Sequence, residues 1–107
     1  MTAPRTLAPE RWLTATFRPA GRLDGPAAAD LAGALGAVAV SADMIVLDLG
    51  ASSITDLGAF VAAMRPVADG LARPERCLLL LNGSPALERA VLDAGLPAAV
   101  LSLDPGA

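Results

Sequence analysis

Histidine, lysine and tyrosine do not occur in this sequence, and aromatic residues make up only 3% of it. Without histidine there is no imidazole base and no imidazole metal ligand. Without lysine there is no Schiff-base amine and no lysine for a phosphate-cradling loop. A single cysteine, Cys77, excludes an intrachain disulfide and fits a reducing compartment. It opens the apolar run Cys77–Leu81, where a buried inert thiol is the expectation. Neither a GxGxxG nor a Walker pattern is present, and the carboxylates are scattered one per loop or helix face. No Ser/His/Asp or Cys/His set can be assembled, so the expectation is a non-enzyme with no metal and no cofactor. Basic clusters are missing too: the net charge is −3, which counts against nucleic acid as a partner. No apolar run is long enough to span a bilayer. Pro4, Pro9 and Glu10 interrupt the N-terminus and no apolar signal-peptide segment follows. These absences imply a cytoplasmic domain with no direct membrane insertion.

What the chain has is aliphatic material. Hydrophobic residues make up 54% of its 107 positions, and 24 positions are alanine. That suffices for one closely spaced core and a single domain over 1–107, with its core at about 12–103. A short edge strand is expected near Arg5–Ala8. Residues 12–18 alternate, with Leu13, Ala15 and Phe17 on one face, and read as a half-buried strand with Trp12 half exposed on the other. Gly21–Pro26 reads as a turn into a helix of about Ala27–Val40, with Asp24 or Gly25 as the cap. Leu31, Leu35 and Val38 give that helix its apolar face. Gly33 and Gly36 each lower its propensity by about 1 kcal/mol relative to alanine, and close packing is their expected reason.

The organising stretch is Met44–Leu71. Met44–Leu49 reads as a strand buried on both faces, and Gly50–Asp56 as a loop. Asp56 suits an N-cap, and Leu57, Phe60, Val61, Met64, Val67 and Leu71 recur at helical spacing. Pro66 inside that helix predicts a kink or a restart. Cys77–Asn82 is a second apolar strand. Ser84 and Pro85 start a third helix, which Gly95 ends and Pro97 stops. Ala98–Leu103 is the last strand. Apolar strands alternating with helices predict an α/β domain: a mixed, mainly parallel sheet of four to five strands packed with three helices. The loop before Leu57 would put helical N–H groups at an edge of that sheet.

Three segments at consistent separations resemble the STAS family, best known for bacterial anti-sigma factor antagonists. Gly21-Arg-Leu-Asp24 resembles the family's G-x-L-D before its first helix. Val46–Asp56 resembles the strand and loop that end in its D-S-S/T-G-L motif. Leu81–Leu96 resembles its S-P-x-V-x-R-x-L-x-x-x-G-L segment. The resemblance implies a STAS-like single domain that binds a protein partner, an anti-sigma factor or related regulator. It implies a partner-binding surface of Asp24, Ser53, Thr55, Asp56, Leu57 and Gly58. In the family a Ser or Thr follows the Asp and is phosphorylated by the cognate kinase; here Leu57 stands there, with no hydroxyl, and Gly58, Ala59 and Phe60 depart from the following motif positions. No phosphorylation is therefore expected at the family position, and binding would be constitutive or controlled elsewhere. Turn and cap hydrogen bonds are the expected role of the hydroxyls of Ser52, Ser53 and Thr55.

The family's last helix is expected to be missing, which would leave part of the sheet thinly covered and open to a homodimer or a partner. Two other readings stay open: an accessory subunit of a phospholipid-transport ATPase, and a small-ligand (lipid) sensor. A bacterial source with a GC-rich genome fits the lysine-free, Ala/Arg/Gly/Pro-biased composition.

Overall fold

A computed structural model describes residues 13–71 and 76–102. Four strands form the main sheet in the order β1-β3-β5-β6, where β1 is Thr14–Phe17, β3 is Met44–Asp48, β5 is Cys77–Leu81 and β6 is Ala99–Leu101. Every pairing among the described residues is parallel. Parallel neighbours need long crossovers, and the three helices supply them: α1 (Gly25–Ala39), α2 (Leu57–Leu71) and α3 (Pro85–Ala94).

Register places apolar side chains in two rows across the sheet. Ala15, Ile45 and Leu78 form one; Phe17, Leu47, Leu80 and Val100 form the other. These rows pack on Leu35 of α1, Phe60 and Met64 of α2, and Leu87 and Val91 of α3. Phe60, Leu35, Ile45, Leu47, Met64, Leu78, Leu80 and Leu87 are wholly buried, and each such side chain contributes about 1.5–3 kcal/mol of transfer free energy. Between these rows lies that of Thr16, Val46, Leu79 and Ala99, and residues of that phase point away from the helices. Cys77 shares this phase with Met44, so the thiol is half-buried rather than buried as the apolar run suggested. Leu79 and Leu81 are half-buried as well, while Ile45, Val46 and Leu47 of the central strand β3 are all buried, although Val46 lies outside the core cluster under the helices.

Two expected loops contain strands instead. The stretch read as a turn at Gly21–Pro26 holds β2 (Gly21–Leu23), and the loop Gly50–Asp56 holds β4 (Ser52–Ile54). Together they form a separate two-stranded parallel sheet. Three residues show too little alternation to announce a strand, and only a partner distant in sequence satisfies their backbone groups.

The helix boundaries follow their caps. Asp24 caps α1, which starts two residues earlier than its apolar spacing indicated. Pro66 does not interrupt α2, which runs from Leu57 to Leu71 without a restart. Ser84 caps α3, and Gly95 ends it in the left-handed conformation (φ +62°) that favours glycine. At the far ends, arginines close open carbonyls. The Arg76 guanidinium donates to the carbonyls of Ala39, the last residue of α1, and of Ala42 just beyond it (Nη2–O of Ala42 2.7 Å). The expected edge strand near Arg5–Ala8, together with Trp12 and Leu103, lies outside the described residues.

Gly33 and Gly36 have a different explanation from the expected one. A Cβ built on either, or on Gly70 of α2, meets no packing partner within 4 Å among the described residues. Close packing within the chain therefore does not require them, and a methyl group there would restore helix propensity without a clash. Gly33→Ala and Gly36→Ala are each expected to stabilise the protein by about 1 kcal/mol, raising Tm by about 4–8 °C in a thermal melt. A fall in Tm for either substitution would show that the glycine serves this chain's own packing.

Candidate functional site

Two helix starts are set side by side by the small sheet. β2 leads into α1 and β4 leads into α2, with Leu23 opposite Ile54 and Arg22 opposite Ser53. Beyond the last pair, the Thr55 backbone N–H donates to the Leu23 carbonyl at 3.1 Å, and the Thr55 hydroxyl donates to the same oxygen at 3.4 Å. Asp24 follows Leu23 and Asp56 follows Thr55, so both caps reach the same edge. The Asp24 carboxylate accepts the Ala27 N–H at 2.9 Å, and the Asp56 carboxylate accepts the Ala59 N–H at 3.0 Å. The two first turns nearly touch: a Cβ on Gly25 would lie 3.8 Å from Cβ of Ala59.

All six residues singled out from the sequence fall in this region. Asp24, Ser53, Thr55, Asp56 and Gly58 are exposed, and Leu57 is half-buried at the first position of α2. Leu57 also packs against the core. Of the three nearby hydroxyls, Ser52 makes the expected local bond, donating to the Leu49 carbonyl at 3.3 Å, whereas Thr55 donates across the strand pair to Leu23 and Ser53 is exposed. Arg22, exposed opposite Ser53, was missed. It was hidden because β2 read as a turn, and a three-residue strand leaves no usable period.

Behind this edge, the C-terminal ends of β3 and β5 are tied by one carboxylate. Asp48 Oδ1 accepts the Gly50 N–H at 2.9 Å and the Asn82 side-chain amide at 3.1 Å. Arg18 Nε lies 3.7 Å from Asp48 Oδ2. The Gly50 hydrogen bond, then the Asn82 amide, hold the Asp48 carboxyl below its ordinary value against the opposing effect of burial, with Arg18 adding a smaller attraction. This cluster sets the course of the chain from β3 through Gly50 and Ala51 into β4. Asn82 itself has a positive φ of 59°, a conformation that asparagine tolerates better than most residues.

On the other side of Leu57 an open groove of about 710 Å³ runs between α2 and α3. Leu57, Gly58, Val61 and Ala62 line it from α2, and Ala90, Asp93 and Ala94 from α3. Ala94 is exposed at the rim of this groove. Arg65 crosses the groove's end and donates to the carbonyls of Ala94 (2.6 Å) and Gly95 (3.2 Å). Among the described residues, no three His, Cys, Asp or Glu side chains are grouped to hold a metal ion, and no helix is long and apolar enough to cross a membrane.

No protein-family model and no curated protein matches the sequence. Among solved structures, the chain resembles that of the anti-sigma factor antagonist SpoIIAA in its unphosphorylated form, with a TM-score of 0.64. The match covers 89% of this chain and 84% of that one at 21% sequence identity. The fold is STAS-like. The three motif segments occupy consistent places in this STAS-like domain: the strand β2 and its capping aspartate, the β3–β4 passage to Asp56, and the end of β5 through the C-cap of α3.

Asp48 gives the domain a definite pH response. A carboxyl held below its unfolded-state value stabilises the fold at neutral pH, and that contribution is lost as pH falls through the folded value. Asp48→Asn removes the carboxylate, so the variant is expected to be less stable than the parent at pH 7. The gap should shrink steadily below about pH 4, where the unfolded-state carboxyl takes up its proton. Urea melts at pH 7, 5, 4 and 3 measure it; a gap that stays constant with pH would remove Asp48 from this role.

Proposed function

We propose that this chain is a non-catalytic, protein-binding regulatory domain that works as an anti-sigma factor antagonist does, docking an anti-sigma factor or a related regulator. One observation carries the reading: two capping aspartates, Asp24 and Asp56, are held side by side at an exposed edge by the pairing of β2 with β4. Ser53, Thr55, Leu57 and Gly58 complete the docking face, and Arg22 adds a cation to it. The similarity in fold to SpoIIAA, whose structure is described as that of an anti-sigma factor antagonist, supports the same class of partner.

The proposed control differs from that of a phosphorylated switch. Phosphorylation beside a carboxylate adds about −1.5 to −2 charge and disrupts docking by repulsion. Leu57, next to Asp56, has no hydroxyl to accept a phosphate. The Ser52 and Thr55 hydroxyls already donate to backbone carbonyls. With no hydroxyl at residue 57, binding on this reading is constitutive or controlled elsewhere.

Two measurements test this. Incubation with candidate anti-sigma kinases and ATP should leave the intact mass unchanged; a phosphate on any hydroxyl of residues 50–56 would overturn the constitutive reading. Leu57→Asp places a carboxylate where a phosphate would otherwise act, at a helix N-terminus that tolerates negative charge. It should keep its helical circular dichroism and lose at least tenfold in affinity for the partner. Unchanged affinity would remove Leu57 from the docking face.

A further inference from the structure

The groove between α2 and α3 begins at Leu57 and leads away from the edge that carries the two caps. Apart from Arg65 and Asp93, its lining residues are apolar or small. Val61 forms the buried floor, with half-buried Leu57 and Ala90 beside it. Gly58, Ala62 and Ala94 are exposed at the rims. Short side chains on both walls let another backbone come close, at the separation of two packed helices, about 8–10 Å between axes. An apolar helix edge read at i, i+3 or i+4, and i+7 suits such a channel.

Charge selects among helices. Arg65, the cation lining the groove, has its guanidinium on the Ala94 and Gly95 carbonyls, where the negative end of the α3 dipole offsets it. Arg89 lies one turn before Asp93 on α3, yet no ion pair within 4.0 Å joins them. Asp93 is exposed on one wall. At the other end, the Asp56 carboxylate lies beside Gly58, 3.7 Å from where a Cβ on that glycine would stand. The groove therefore presents an apolar floor with the Asp93 carboxylate on one wall and, just beyond its Gly58 end, the exposed Asp56 carboxylate that caps α2, on a chain of net charge −3.

We propose that this groove receives one amphipathic helix of a protein partner, whose apolar edge seats on Val61 and whose Lys or Arg residues face Asp56 and Asp93. The inference rests on the docking reading above and specifies the partner's chemistry. Opposite charges across the contact speed encounter and favour the correct register. An anionic membrane surface would meet the same carboxylates with repulsion.

Site-specific photocrosslinking in cells of the source organism tests this with the full chain. A benzoylphenylalanine is placed at Ala62 or Ala94, in the groove, and separately at Ser53, on the strand-pair edge. Mass spectrometry then maps the crosslinked partner segment. The expected product from Ala62 and Ala94 is a segment with helical apolar spacing and at least two Lys or Arg on its flank. An acidic or uncharged segment would overturn the proposal. A partner crosslinked through Ser53 alone would overturn it while leaving the docking function standing; no crosslinked protein at any of the three positions would end both. With the mapped segment as a synthetic peptide, Asp93→Arg should weaken binding at least tenfold at low salt, and the difference should narrow as salt rises. Equal binding by parent and variant, or co-sedimentation of the parent with phosphatidylglycerol vesicles, would also overturn it.

Discussion

The carbonyl oxygen of Leu23 accepts both the backbone N–H and the hydroxyl of Thr55. That junction closes the short pairing of β2 with β4 and brings together two chain segments about thirty residues apart in sequence. Each segment then turns into a helix through an aspartate. Because the two strands are parallel and in register, the two helix starts emerge at the same level. The exposed edge follows from that geometry: paired strand ends, paired caps, and paired positive dipole ends next to two carboxylates. The Asp48 cluster supports the junction from behind by holding the passage from β3 into β4.

The C-terminal ends of α1 and α3 receive side chains from elsewhere in the fold. Arg76 reaches carbonyls at and just beyond the end of α1, and Arg65 reaches those at the end of α3. Each places a cation at the negative end of a dipole and donates hydrogen bonds to carbonyls that the helix itself leaves open. In a chain without lysine, these arginines hold elements together through planar, several-donor guanidinium groups. Their charges are committed to the scaffold, while the carboxylates of Asp24, Asp56 and Asp93 are exposed around the start of α2 and the groove beside it. The proposed docking face and the proposed helix-binding groove meet at Leu57, so one partner could span both.

Much of the architecture was legible because apolar spacing and cap residues speak locally. Leu57, Phe60, Val61, Met64, Val67 and Leu71 marked α2, and Ser84, Pro85 and Gly95 marked both ends of α3. The same local reasoning misassigned what depends on neighbours. Cys77 opens an apolar run, yet its phase in β5 turns it away from the helices. Gly33 and Gly36 suggested close packing, yet no described residue packs where their Cβ atoms would stand. Pro66 predicted a kink or a restart, and no restart occurs: α2 runs through it, with Met64, Val67 and Ala68 of its apolar face buried. Of the proposed site, the six residues were legible and Arg22 was not.

The sequence by itself determined the alternation of strands and helices, the aspartate and serine caps, and the absence of a hydroxyl at residue 57. Those depend on side-chain chemistry and on spacings of a few residues. Only the tertiary structure decided that residues 21–23 and 52–54 are strands, that Asp24 and Asp56 stand together, and that a groove opens beside Leu57. Three-residue strands have no stability of their own; their backbone groups are satisfied only when a distant segment is brought alongside, and no local pattern records that meeting.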